Sequence, residues 1–233
     1  MVNNSNDSGA NGLLASWLRR FDGRSAKIVS TKPLATVVRG RGIIALFVDA
    51  IIESERGDRM PRCMLLRGDS AIVIALLRVK DTFELYTLMV EQLRPVDGKN
   101  TLEFVGGMIE TEETPRQCAV REVREELGIA IEEGDLISLF PEPIRVCTAM
   151  LDERAHFFAF EKTVDAPFVN SLEGSAQGEH SDGEYIRVRV VDFEFVERQP
   201  VFSAQVGAFL IRQLLGSPSK RKFDPSPILE VNR

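Results

Sequence analysis

Four glutamates lie close together in one short stretch of the chain, and their chemistry is the easiest to define. Glu113 falls in a loop, and Glu122, Glu125 and Glu126 follow on a predicted helix. Carboxylates this close repel one another unless a cation neutralises them. Hard divalent cations such as Mg²⁺ prefer oxygen ligands, often a few carboxylates together with substrate phosphate. The segment therefore predicts a metal site for Mg²⁺, with Mn²⁺ as a second candidate, and a phosphate-bearing substrate.

The helix that carries three of these glutamates has start and stop signals at both ends. Thr114 suits the N-cap, Pro115 suits the first helical position, and Gln117 completes a capping box. Gly128 suits the C-cap. The helical glutamates are spaced at i, i+3 and i+4, so their carboxylates share one face.

Taken alone, Glu-x-x-Glu-Glu on a helix is usually a solvated acidic face. The full pattern is more specific: Gly107, five residues, Glu113, seven residues, then Arg-Glu-Val-Arg-Glu-Glu-Leu-Gly-Ile. It resembles the Nudix box at every defining position. The resemblance implies an α/β fold, the Nudix α/β/α sandwich with a mixed sheet, and a divalent-metal diphosphatase activity.

The resemblance also implies roles for the box residues. Glu122 and Glu126, together with the backbone carbonyl of Gly106, would be the primary metal ligands. Glu125 would be a further ligand or a catalytic support. Arg121 would orient the loop and the helix, and it lies four residues before Glu125, close enough to orient or partly neutralise that carboxylate.

Two segments before the box are similar to those of the ADP-ribose and nucleoside-diphosphate-sugar diphosphatases of this family. Gln-Leu-Arg-Pro at 92–95 precedes Leu-Glu-Phe-Val-Gly-Gly at 102–107. By this resemblance Arg94 would bind the diphosphate, since a guanidinium matches phosphate oxygens in a fork. Glu103 would support the substrate or the metal. The alternatives are a surface arginine at a strand end and a half-exposed strand glutamate.

An acidic, glycine-rich loop precedes the alternating strand at 185–191. By the same resemblance Glu184 takes the place of the catalytic glutamate, and Asp182 is a weaker candidate that would contact the substrate. The alternative is a flexible polar loop. Glycines and charge also suit a loop that closes over a substrate.

The predicted elements divide the chain into four parts. Residues 1–24 are a disordered or targeting segment in which Leu13 to Phe21 fits a short amphipathic helix, and residues 25–60 are a β-rich N-terminal subdomain. Residues 61–216 are the Nudix hydrolase domain, and residues 217–233 are a C-terminal tail. The small N-terminal sheet needs support from the main domain or from a second chain. Because members of the resembled subgroup commonly exchange N-terminal strands, we expect a homodimer.

The composition bears on the kind of binding partner and on the cellular compartment. A net charge of −6 disfavours nucleic acid as a partner, and no apolar run approaches the length of a membrane span. Three widely spaced cysteines suggest a reducing compartment. We expect a cytoplasmic protein, with an organellar, mitochondrial location as the alternative because residues 19–41 are basic and poor in acids.

These observations predict Mg²⁺-dependent hydrolysis of a nucleoside-diphosphate sugar (ADP-ribose, or an ADP- or UDP-sugar) to a nucleoside monophosphate and a sugar phosphate. One alternative is another diphosphate substrate: a dinucleotide, a nucleoside triphosphate or an RNA cap. The other is a non-catalytic binding module of the same fold, which the complete set of box glutamates disfavours.

Overall fold

The computed structural model describes residues 6–39, 42–96, 98–177 and 185–215. Within these ranges the chain packs as two units. The first contains the described residues of 1–69 and 144–155, and the second contains those of 70–143 and 156–233. A short segment from the middle of the chain therefore completes the N-terminal unit.

The first unit is a helix on an antiparallel sheet. Its elements are α1 (Asn6–Arg20), β1 (Ala26–Arg39), β2 (Gly42–Ser54) and β3 (Arg59–Leu66). Trp17 is buried with Leu46, Val48 and Leu66, so α1 covers the sheet. The helix predicted from Leu13 is present and begins earlier, at Asn6. The helix expected from Leu13 to Phe21 therefore contributes to the core of this unit through Trp17.

The end of β3 meets the inserted segment. Leu65 N donates to Met150 O at 2.8 Å, and Arg67 N donates to an Asp152 carboxylate oxygen at 2.8 Å. The predicted boundary between residues 60 and 61 falls inside β3, whose pairing with β2 runs from Arg59 to Leu66. The N-terminal sheet is therefore larger than the sequence predicts. A two-residue strand, β9 (Ile144–Arg145), pairs with the first residues of β10 (Arg154–Val164).

The second unit is built on a mixed sheet. Two short strands extend it. β6 (Lys99–Glu103) pairs with β5 (Leu85–Arg94), and β7 (Val105–Met108) pairs with β4 (Ser70–Val79). In spatial order the main strands are β11 (Ala176–Gln177), β12 (Ile186–Val191), β5 (Leu85–Arg94), β4 (Ser70–Val79), β10 (Arg154–Val164) and β8 (Ile137–Ser138).

Helices cover both faces of this sheet. Every residue of the central strand β4 is buried. Val73 and alternate residues of β4 pack in one core with α2 (Pro115–Leu127) and α3 (Ala166–Leu172). On the other face α5 (Phe202–Leu215) approaches closely at Gly207, where a Cβ would lie 2.5 Å from the Phe104 ring. This arrangement confirms the predicted α/β/α sandwich.

Two short elements connect these layers. α4 (Phe193–Glu197) precedes α5, and a 3₁₀ turn (Glu133–Asp135) follows α2. None of the helices in the described ranges is both long and apolar enough to cross a membrane.

Candidate active site

Local signals fix both ends of α2, the helix of the glutamate cluster. The Gln117 N–H donates to Thr114 Oγ1 at 3.2 Å, and the Thr114 N–H donates to Gln117 Oε1 at 2.9 Å. Gly128 ends the helix at φ 68°, in the left-handed region that favours glycine, and its N–H donates to Arg124 O. Both predicted caps are therefore confirmed. Between them, α2 buries its apolar face against the sheet and presents its glutamates beside β7.

Strand β7 brings two glycines against this glutamate face. A Cβ on Gly107 would lie 1.8 Å from Glu122 Oε1, so only glycine leaves room for that carboxylate. The Gly106 N–H donates to Glu126 Oε2 at 3.2 Å. A Cβ on Gly106 would lie 2.5 Å from the backbone oxygen of Ala71. The paired glycines are thus required by close approach on both sides of the strand.

Arg121 is the centre of the cluster. Its Nε and Nη2 atoms bind the two oxygens of Glu113 at 2.9 and 3.0 Å. Its Nη1 atom donates to Glu122 Oε1 at 2.6 Å and to Glu125 Oε2 at 3.2 Å, and Nη2 also donates to Met108 O at 3.1 Å. One guanidinium therefore holds three of the four predicted glutamates and ties α2 to β7.

The loop before α2 fixes Glu113 in this contact. Glu112 has φ 67°, a left-handed conformation that is uncommon for a residue with a side chain. Glu113 Oε2 then accepts the Glu110 N–H at 3.0 Å. The hydrogen bond from Arg121 is the main reason that the pKa of Glu113 lies below its ordinary value. Glu113 therefore stays ionised and anchors Arg121.

Glu122 is in the opposite electrostatic situation. Burial raises its pKa, Arg121 works against that effect, and the Glu125 charge adds to it. Four carboxylates and one guanidinium leave this cluster with a formal charge of −3. A buried, oxygen-rich group with excess negative charge is chemically suited to a hard divalent cation.

Three of the four carboxylates, those of Glu113, Glu122 and Glu125, contact Arg121, whereas Glu126 accepts the Gly106 N–H. Within residues 6–39, 42–96, 98–177 and 185–215, no three His, Cys, Asp or Glu side chains stand together in an arrangement that could hold a metal ion. The carboxylate and carbonyl oxygens of the cluster are donors that suit the predicted ion. Hydrogen bonds from the Arg121 guanidinium hold three of the carboxylates in their present positions. The predicted metal ligands Gly106, Glu122, Glu125 and Glu126 therefore lie together and remain a proposal.

Arg94 and Glu103 form a second charged pair, at the hairpin between β5 and β6. Arg94 Nε and Nη2 bind the two Glu103 oxygens at 2.7 and 2.9 Å, and Thr101 Oγ1 donates to Glu103 Oε1 at 2.8 Å. Burial acts to raise the pKa of Glu103, but the hydrogen bonds from Arg94 and Thr101 outweigh it and lower the pKa. The Arg94 side chain is 41% exposed, so it can be reached from solvent.

Thr101 was not singled out by the sequence reasoning. Its spacing could have indicated this contact, because residues two apart on a strand point to the same face and Thr101 lies two residues before Glu103.

Cys118 is buried beneath the box, with its Sγ 3.6 Å from Gly107 O. Burial raises the pKa of this thiol to about 12, so it stays protonated and fills space.

The predicted catalytic residue Glu184 and the predicted substrate contact Asp182 lie outside the described residues. Strand β12 begins just after them and pairs with β5, with Arg187 opposite Glu91. This register sets the start of β12 beside the end of β5 that carries Arg94.

Comparison with known proteins identifies the class. Residues 66–206 match the family model for the NUDIX domain. The chain therefore belongs to the Nudix family, and it is an enzyme of the Nudix hydrolase class. The alternative of a non-catalytic module is accordingly set aside.

Particular relatives are known at moderate identity. The chain is 25% identical over 238 residues to Nudix hydrolase 14, chloroplastic, of Arabidopsis thaliana. The alignment covers 92% of this chain and 75% of that protein. It is 32% identical over 142 residues to the ADP-ribose pyrophosphatase of Haemophilus influenzae, which covers 57% of this chain and 58% of that protein. The crystal structure of an ADP compounds hydrolase superposes with a TM-score of 0.56 at 15% identity, over 84% of this chain and 96% of that one. This last likeness concerns the fold alone.

Proposed function

We propose that this enzyme hydrolyses the diphosphate bond of a nucleoside-diphosphate sugar, ADP-ribose or an ADP- or UDP-sugar, with Mg²⁺ as cofactor. The products would be a nucleoside monophosphate and a sugar phosphate. The observation that carries the proposal is the Arg94–Glu103 pair on the sheet against which the glutamate helix α2 packs, since the cluster alone specifies only a diphosphate. The name of the Haemophilus influenzae relative, an ADP-ribose pyrophosphatase, supports this substrate class.

Each group of the site has a proposed task. Glu122, Glu126 and the Gly106 carbonyl would hold the ion, which neutralises diphosphate oxygens and developing charge when bound. Arg121, fixed by Glu113, keeps the carboxylates of the cluster in position. Arg94, held in orientation by Glu103, would bind the diphosphate in a fork.

The hydrolytic step follows ordinary acid–base chemistry. A water oxygen attacks one phosphorus, the anhydride P–O bond breaks, and the leaving phosphate takes the bonding electrons. A carboxylate accepts the proton of the water. We assign this role to Glu184, with Glu125 as a support in the cluster and Asp182 as a substrate contact.

Exposed apolar residues on the N-terminal sheet support the predicted homodimer. Leu34, Val38 and Ile44 are 52%, 47% and 45% exposed, and β1 is an edge strand of its sheet within the described residues. An exposed apolar edge strand is a template for pairing with another chain. A monomer mass in sedimentation equilibrium would contradict the dimer.

The compartment also stays a prediction, cytoplasmic or organellar, and the Arabidopsis thaliana relative is named as chloroplastic.

The decisive experiment is a substrate comparison. Purified protein is incubated with ADP-ribose, ADP-glucose, UDP-glucose, a dinucleotide and a nucleoside triphosphate, with Mg²⁺ or with EDTA, and products are resolved by chromatography. We expect Mg²⁺-dependent release of nucleoside monophosphate and sugar phosphate from the nucleotide sugars. Faster turnover of the dinucleotide or the triphosphate would redirect the proposal to that alternative, and absence of turnover would refute it.

Two variants test the assignments, with a matched control. Glu126→Gln should lower turnover by about two orders of magnitude or more, since it removes one proposed ligand charge. Glu142→Gln makes the same chemical change at an exposed position outside the cluster and should retain full activity. Unchanged turnover in Glu184→Gln would show that another group accepts the proton.

A further inference from the structure

A cavity of about 290 Å³ lies within the first unit. Trp17, Phe21 and Met64 line one side of it. The two aromatic rings meet edge to face, with centroids 5.8 Å apart. This side of the cavity is therefore an apolar wall with two aromatic rings.

Two of the three lining arginines are already paired. Arg20 Nη1 lies 2.5 Å from Asp69, and its Nη2 binds Asp152. Arg154 binds Asp69 through Nη2 and Nε at 2.6 and 3.2 Å. Asp152 also accepts two backbone N–H groups from the end of β3, at 2.8 and 3.3 Å. These carboxylates are committed to protein partners, so the cavity is not suited to a cation.

The third lining arginine has a different environment. Arg145 is exposed, and within the described part of the chain it forms no ion pair. Asp22, which also lines the cavity, is bound by Arg24, with Nε at 2.7 Å from Oδ2. Four arginines against three aspartates leave this group with a formal charge of +1. The excess charge belongs to Arg145, and one anionic group would neutralise it.

We propose that this cavity binds a nucleoside monophosphate, with its phosphate on Arg145 and its base against Trp17 and Phe21. A phosphate would neutralise the excess charge, and arginine is well matched to phosphate. Aromatic side chains provide stacking surfaces for bases of any sequence. The volume is at the lower end of the range for ligand pockets, about 300–1,000 Å³, which favours a mononucleotide over a dinucleotide.

A nucleoside monophosphate is also a product of the proposed reaction. Feedback by that product would rest on the proposed function. Binding in the cavity would not, because none of the residues that form it belongs to the glutamate cluster or to the Arg94–Glu103 pair.

Trp17 provides the measurement, because it is the sole tryptophan of the chain. AMP is titrated into the full-length protein in EDTA, so that turnover does not interfere, and tryptophan emission is recorded. We expect a saturable change, with adenosine and inorganic phosphate binding more weakly than AMP. Arg145→Ala should weaken AMP binding about tenfold or more, as expected for loss of a charge-assisted hydrogen bond. Arg56→Ala, another exposed arginine of the same unit, should leave it unchanged.

Several results would overturn the proposal. They are no emission change, equal affinity in Arg145→Ala, or inorganic phosphate binding as tightly as AMP. A response lost in Arg94→Ala but retained in Arg145→Ala would assign the signal to the proposed diphosphate site. The hydrolysis assay with Mg²⁺ is independent: AMP binding without hydrolysis would refute the proposed function and leave the cavity site standing.

Discussion

Gly107→Ala tests whether the position of the Glu122 carboxylate, and not only its presence, controls turnover. The added Cβ would lie 1.8 Å from Glu122 Oε1, 2.3 Å from Cδ and 2.9 Å from Oε2. Ordinary contact begins at 3.4 Å, so Oε1 has to move by about 1.6 Å, the difference between these distances. The displaced atoms are the end of a flexible side chain, so the backbone can keep its course.

The expected effect on activity is large. The movement breaks the 2.6 Å contact between Glu122 and Arg121 and removes one proposed metal ligand from its place. A displacement of about 1 Å at a reacting site can cost about 10²-fold in rate, so we expect kcat to fall by about 10²-fold or more. Loss of one charged hydrogen bond should lower the free energy of unfolding by about 1–3 kcal/mol.

The assay is steady-state hydrolysis of ADP-ribose with Mg²⁺, paired with thermal unfolding of each variant. Gly134→Ala is the matched control, since its Cβ would meet nothing within 4 Å. Gly106→Ala should differ from both, because its Cβ would lie 2.5 Å from a backbone oxygen, so the strand itself has to shift and both stability and turnover should fall. A wild-type kcat in Gly107→Ala, or an equal loss in Gly134→Ala, would refute the reasoning.

Three further predictions concern the charged pairs and α1. The pKa of Glu103 is lowered below 4.5, so its ionised form stabilises the fold fully above that pH, and this stabilisation is lost as the pH falls through the lowered value. In urea unfolding, the stability of Glu103→Gln should therefore approach that of the wild type in acid. A stability difference that does not depend on pH would contradict this. Arg121→Lys loses the fork to Glu113 and should lower turnover at least tenfold in the same hydrolysis assay, whereas unchanged activity would exclude the positioning role. Trp17→Ala should lower the free energy of unfolding by about 3–5 kcal/mol in calorimetry, since the residue is 9% exposed; an unchanged Tm would show that α1 adds nothing to the core.

The glutamate helix was predictable because its determinants are local. The caps at Thr114 and Gly128 and the apolar spacing lie within one contiguous segment, and the helix observed is the one expected. The ion pairs along this helix were only partly predictable. Spacing favours Glu125 as the partner of Arg121, yet the shorter contact is to the adjacent Glu122, whose carboxylate lies in the space that Gly107 leaves open.

The N-terminal unit was less predictable because its contacts are distant in sequence. Asp152 binds Arg20 and the backbone of Arg67, 132 and 85 residues away along the chain. No local pattern specifies such partners. Likewise, α1 begins in a polar, glycine-containing stretch, and it is stabilised by packing of Trp17 rather than by helix propensity.

The divided N-terminal unit also sets an order of events during synthesis. Residues 1–69 leave the ribosome before residues 144–155, which belong to the same unit. At about 5–20 residues per second, the 86 residues from 70 to 155 take roughly 4–17 s to add. Through that interval Arg20 lacks its partner Asp152, and Asp69 lacks its partner Arg154. The N-terminal unit therefore remains incomplete for several seconds in every round of translation.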